Sequence, residues 1–192
     1  MEYEFTLKFI CSEQVGLIDD VVEKLGAAGC NDALAGIGVP GRIALNFTRS
    51  AESAQTAILS ALADVKRALP FARLIEVSPD WVGLSDVAEA VGVSRQNIRK
   101  LMVTHPTSFP PPVHAGSTSI WHLALVLRWL QPRHQYPIAQ SLVEVAHTAM
   151  QINIAKEAEL LSPVLRQALQ VGIADSALKD RRIGRIHSPV PE

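Results

Sequence analysis

Apolar residues in the first 80 positions follow two alternating rhythms. Residues 3–11, Tyr-Glu-Phe-Thr-Leu-Lys-Phe-Ile-Cys, place apolar side chains at nearly every second position, which predicts a strand with one buried face. From Gly16 to Leu25 the period becomes helical, with Leu17, Ile18, Val21, Val22 and Leu25 on one side. Two further apolar runs, Ala33–Ile37 and Arg42–Phe47, flank Gly38-Val39-Pro40-Gly41, a hairpin signal. A second helix starts at Ser50 or Ser53 and turns Ala54, Ala57, Ile58, Ala61, Leu62 and Val65 inward until Pro70 stops it. Ala72–Val77 is the last strand. The order β-α-β-β-α-β over residues 1–78 predicts a split βαβ unit, with two helices over one face of a four-stranded antiparallel sheet.

The pattern changes after Ser78-Pro79-Asp80, a turn-rich link where a second domain is expected to begin. Leu84–Thr104 reads as two short helices and a tight turn, a helix-turn-helix. Ser85 is the expected N-cap, Asp86 lies in the first turn where the helix dipole favours it, and Val87, Ala88 and Val91 share the inner face. Gly92 closes the helix in a left-handed conformation and Val93 returns to the core. Ser94 caps the second helix, with Ile98 and Leu101 inward and Arg95, Gln96, Asn97, Arg99 and Lys100 outward. Ala88 must be small because the second helix crosses it, and a leucine there would overpack by roughly 1–3 kcal/mol.

The prolines of His105–Val113 forbid helix, and Val113-His114 can then pair with Ser119-Ile120-Trp121 around Ala115-Gly116-Ser117-Thr118 as a small wing. A helix over Trp121–Leu130 follows, with Trp121, Leu125, Val126 and Trp129 available for packing. Trp81, Trp121 and Trp129 are expected to supply most of the core of this domain, residues 79–133, because a small domain needs large side chains. Ile138, Leu142, Val145, Ala149 and Ile152 then form a heptad seam that packs either on its own domain or against a second subunit. Ser162-Pro163 starts a final helix through Val171, so residues 134–173 read as a helical extension and 174–192 as a flexible tail.

Composition refines this picture. A hydrophobic content of 48% is ample for buried cores, yet no apolar run is long enough to span a bilayer. The start, MEYEFTLKF, lacks the basic-then-apolar pattern of a secretory signal, and a cytoplasmic protein is expected. Cys11 and Cys30 make neither a disulfide framework nor a metal knuckle. His105, His114, His122 and His134 cluster in sequence without a carboxylate or cysteine at ligand spacing, so no metal is expected. The net charge of −1 is unevenly spread: residues 81–133 carry five Lys and Arg against two Asp and Glu, while residues 1–80 carry seven against eleven. The positive stretch coincides with the helix-turn-helix, which is the electrostatic footprint a nucleic acid requires. Arg181, Arg182 and Arg185 form a charge run in the tail that is solvated by default. No nucleophile-base pair, phosphate-cradling glycine loop or paired metal motif appears, so neither an enzyme nor a cofactor is expected.

The residues Leu84–Leu101, Phe109-Pro110-Pro111-Pro112-Val113, Gly116 and Trp121…Val126-Leu127-Arg128-Trp129-Leu130 together resemble the winged helix-turn-helix of AlpA, excisionase and MerR-like regulators. In that family Phe-Pro-x-Pro leads into the wing and a helix ending in Trp-Leu closes the fold. The resemblance implies double-stranded DNA as partner, a transcriptional role and a homodimer. Arg95, Gln96, Asn97 and Arg99 would then contact bases, because Arg, Gln and Asn can bond guanine or adenine edges bidentately. Ser94 and Lys100 would contact phosphates, with Ser117 and Thr118 at a wing that lacks the arginines usual in the family. The preceding domain is ferredoxin-like in order and resembles an ACT-type regulatory domain. That resemblance implies a small-molecule site along Gln14, Val15, Gly16 and Leu17, and the same domain could instead serve a protein partner. The competing functional readings are an excisionase-like architectural DNA-binding factor and a ligand- or partner-binding module centred on the N-terminal domain.

Overall fold

The computed structural model describes residues 1–11, 18–133 and 136–171. Gln14, Val15, Gly16 and Leu17 lie outside the described residues, as do His134, Arg181, Arg182, Arg185 and the tail from residue 172. The protein is a mixed α+β structure with antiparallel sheets. It divides into two units, Met1–Asn153 and a second beginning at Ile154.

The first sheet contains β1 (Glu2–Ile10), β2 (Ala33–Val39), β3 (Arg42–Ser50) and β4 (Arg73–Ser78) in the order β2-β3-β1-β4. Its strands follow from the period-two pattern: Tyr3, Phe5, Leu7 and Phe9 alternate inward on β1, and Ile43, Leu45 and Phe47 do so on β3. The register sets Phe5 opposite Phe47, whose rings stack with centroids 5.2 Å apart. The turn after β2 is tighter than expected, since Gly38 and Val39 belong to the strand and only Pro40-Gly41 separate it from β3.

Two helices complete this half, α1 (Ile18–Ala27) and α2 (Ala54–Ala68). Ser53, not Ser50, caps α2, its Oγ accepting the Thr56 N–H at 3.1 Å. Residue Arg49 continues the inward parity of β3 and is buried, a feature not foreseen from the pattern. Its guanidinium donates to both Asp32 carboxylate oxygens at 2.7 and 3.0 Å, to Asp64 Oδ2 at 2.8 Å, to Ser60 Oγ and to the Gly29 carbonyl. Burial is tolerated because the planar donor fork is filled. The Arg49 hydrogen bonds hold the Asp32 carboxyl below its ordinary range.

The second half starts with β5 (Trp81–Val82), which pairs with β7 (Ser119–His122); β7 also pairs with β6 (His114–Ala115). The β5 pairing was not expected, because two residues are too few for a periodic signal. Between these strands lie α3 (Leu84–Ala90) and α4 (Arg95–Thr104), and α5 (Leu123–Leu130) follows β7. Three expectations are corrected here. Gly83, not Ser85, is the N-cap of α3, and Asp86 Oδ2 reaches back to accept the Gly83 N–H at 2.7 Å. Trp121 belongs to β7, so the last helix begins only at Leu123. The core is mainly aliphatic: Val82, Val87, Ile98, Leu123, Val126, Leu127 and Leu130 are buried, whereas of the tryptophans only Trp121 is, and Leu125 and Trp129 are half-buried. The turn geometry explains why α5 starts late. The Leu123 N–H donates to the Asp80 carbonyl at 2.7 Å, and the Trp121 indole donates to the Pro110 carbonyl at 3.0 Å, so these residues are committed to the sheet.

The helix α6 (Gln140–Ala158) occupies the space between the two halves. Val145 and Ala149 join the sheet core, Ala146 joins the helical core, and Leu142, Val143 and Met150 pack on the latter. The heptad seam therefore packs within the chain, and the alternative of a second subunit on that seam is set aside. At the centre Asn153 is fully buried. It accepts the Val77 N–H and donates to the Val77 carbonyl and to Asp80 Oδ2, while His122 Nδ1–H donates to Asp80 Oδ1 at 2.7 Å. Every one of these buried polar atoms is partnered, as burial requires.

In the second unit a final helix covers residues 163–171, and Ser162 Oγ accepts the Leu165 N–H at 3.3 Å as a cap.

Candidate nucleic-acid interface

The turn between α3 and α4 is built from backbone hydrogen bonds. Gly92 adopts φ +70°, a conformation that costs a residue bearing Cβ. It lets the Val93 N–H donate to the Ala88 carbonyl at 2.9 Å and the Gly92 N–H to the Glu89 carbonyl at 3.1 Å, a Schellman closure. Ser94 Oγ then accepts the Asn97 N–H at 3.2 Å, and α4 starts in a fixed direction. Ala88 is buried together with Ile98, consistent with the small residue needed at the crossing.

A single helix face gathers the expected residues. At 100° per residue, Gln96 and Lys100 lie opposite Ile98, with Arg99 and Asn97 at right angles to it and Arg95 on its flank, and all five are exposed. Arg95, Arg99 and Lys100 form no ion pair with described residues, so their charge is uncompensated on that face. Asn97 is different: its Oδ1 accepts the Tyr136 hydroxyl at 3.3 Å, which leaves its amide NH2 as the free end. Ser94 uses its oxygen lone pair as a cap and keeps its hydroxyl hydrogen for an acceptor.

Ser117 and Thr118 are exposed at the β6–β7 turn. Beside them His114 and Gly116 form a contact the pattern did not reveal. A Cβ on Gly116 would fall 2.6 Å from His114 Nε2, so the ring lies over the glycine and would have to swing aside for any side chain there. Val103 was also missed; it is 65% exposed on the same arc as Gln96 and Arg99. An apolar residue in the centre of a polar helix face is the signal that could have found it, since thymine presents a methyl group in the major groove.

The site holds no group of three metal-ligating side chains among the described residues, and no helix there is long and apolar enough to cross a membrane. Comparison with protein-family models, with curated proteins and with solved structures finds no match to this chain.

Proposed function

We propose that this protein is a sequence-specific DNA-binding transcriptional regulator that reads the major groove with α4. The observation that carries the reading is the exposed, uncompensated face of Arg95, Gln96, Asn97, Arg99 and Lys100 beyond a tightly closed turn. In this reading the strand order β2-β3-β1-β4 is that of a ferredoxin-like domain, and β5–β7 with α3, α4 and α5 make a winged helix-turn-helix. Arg95 and Arg99, one turn apart, donate to base edges; Lys100 and Ser94 hold phosphates; Ser117 and Thr118 bond the backbone from the wing without adding charge. A homodimer, placing two such helices on adjacent half-sites, completes the proposal.

The test is a random-sequence DNA selection with the full-length protein, followed by binding of the selected operator. Expected is a defined motif whose recognition is lost in the Arg95→Ala, Asn97→Ala, Arg99→Ala triple variant. Unchanged operator binding by that variant sinks the assignment of α4. Sites clustered at recombination sequences instead of promoters would favour the excisionase-like role.

A further inference from the structure

Two of the outward residues of α4, Gln96 and Asn97, carry carboxamides, and their surroundings differ. Gln96 lies opposite Ile98, and neither end of its amide is bonded among the described residues. Asn97 stands at right angles to Ile98, at the margin of the exposed face, where the chain entering α6 reaches it. There the Tyr136 hydroxyl donates to Asn97 Oδ1 at 3.3 Å. Both ends of this contact are held. The Asn97 N–H is fixed in the first turn by the Ser94 cap at 3.2 Å. Tyr136 is half-buried against the helical core, and its backbone is tied by its own N–H to the Arg133 carbonyl at 3.3 Å and by the Ile138 N–H to its carbonyl at 3.0 Å. The Asn97 NH2 has no partner among the described residues, so this amide presents two donors while its acceptor is turned to the phenol.

We infer that Tyr136 determines what Asn97 reads, restricting it to a base edge made of acceptors, that of guanine, and denying it the paired contact with adenine. The inference rests on the proposed role of α4 in the major groove. A carboxamide recognises adenine when its oxygen accepts from N6 while its nitrogen donates to N7, so both ends must stand level on the groove side. An oxygen drawn back to a half-buried phenol does not. The NH2 that remains has two hydrogens, and guanine presents two acceptors side by side, N7 and O6. Adenine sets its own N6 donor against one of those hydrogens, and cytosine offers only a donor. Thymine has one acceptor, O4, beside its methyl group, and takes a single bond where guanine takes two. Gln96, untethered, keeps either orientation and serves as the internal comparison. Specificity at one base is thus set by a residue outside both helices and the wing, and phenylalanine at that position would keep the ring while releasing the oxygen.

The experiment runs the random-sequence selection with the full-length parent and with Tyr136→Phe, then measures competition between operators that differ at one base pair. The parent selects guanine at the Asn97 position and binds it about tenfold more tightly than adenine there. Tyr136→Phe raises adenine to the level of guanine or above it at that position and leaves the base facing Gln96 unaltered. Asn97→Ala flattens the position, and adding Tyr136→Phe to it changes nothing further, because the phenol acts only through Asn97. In the DNA-free protein, ¹⁵N-labelled, the side-chain NH2 resonances of Asn97 move in Tyr136→Phe and those of Gln96 do not. An equal loss for all sequences in Tyr136→Phe, a base other than guanine selected by the parent at this position, or a motif that ignores the substitution overturns the inference while operator recognition by α4 survives. The absence of any enriched motif with the parent overturns the reading of α4 as well, so the two failures are told apart.

Discussion

The helices α2 and α4 obey the same local rule and end with opposite uses. Each begins with a serine whose Oγ accepts the N–H three residues on, Ser53 to Thr56 and Ser94 to Asn97. α2 buries Ala54, Ala57, Ile58, Ala61 and Val65 against the sheet, and both cations it exposes are tied down, Arg67 to Asp64 and the Ala28 carbonyl and Lys66 to the Pro70 carbonyl. α4 fully buries Ile98 alone, and its cations have no such ties. Anchoring through many small side chains serves stability, whereas anchoring through one leaves a broad face for something else. The contrast is physical: a helix earns most of its stability from tertiary packing, so a sparsely packed one depends on its neighbours and its cap.

The largest expected effect tests that anchoring. Ile58 and Ile98 are both fully buried, and replacing either by alanine lowers the unfolding free energy in urea by about 2–5 kcal/mol. A far smaller loss at Ile98 would break the comparison, because α4 would then be held by something other than that side chain. Next in size, Arg99→Ala weakens operator binding by about 1–3 kcal/mol while stability stays within about 0.5 kcal/mol of the parent. Arg67→Ala leaves operator binding unchanged, and a loss there equal to that of Arg99 would erase the functional half of the contrast.

The capping serines come third. Ser53→Ala and Ser94→Ala each cost about 1 kcal/mol by thermal unfolding, with the second also lowering operator affinity because it frays the first turn of the reading helix. The smallest effect is a pH dependence confined to the α2 side. The Asp32 carboxyl is held below its unfolded value by Arg49, so its contribution is complete above the ordinary carboxylate range and is lost as pH falls through the lowered folded value. Unfolding followed from pH 6 down to pH 2 shows that loss, and Asp32→Asn removes it; an unchanged profile in the variant refutes the Arg49 pairing as its source.

Much of this architecture is legible in residue order. Period-two runs predict β1 and β3, and Ser53 and Pro70 bound α2, Ser94 starts α4 and Gly92 ends α3, because caps and turns are local events. What escaped is non-local. Gly83 caps α3 because β5, two residues long, holds the chain just before it, and β5 exists only by pairing with β7. Arg49 reads as an exposed strand end until Asp32 and Asp64 arrive from separate elements. At the candidate interface the outward residues of α4 followed from helical period alone. The Tyr136 bond to Asn97 and the His114 ring over Gly116 did not, since both need the fold before the partners meet.

Asn153 has a consequence for behaviour in concentrated solution. Its carboxamide mimics a peptide group, satisfying the outward N–H and carbonyl of Val77 where a foreign strand would otherwise dock. One side chain thus blunts that border of the sheet against runaway self-assembly, a duty that natural proteins more often give to lysine or proline. The opposite border, β2, has no charged residue and exposes Leu34, so precipitation or fibre growth should start there and spare the margin guarded by the amide.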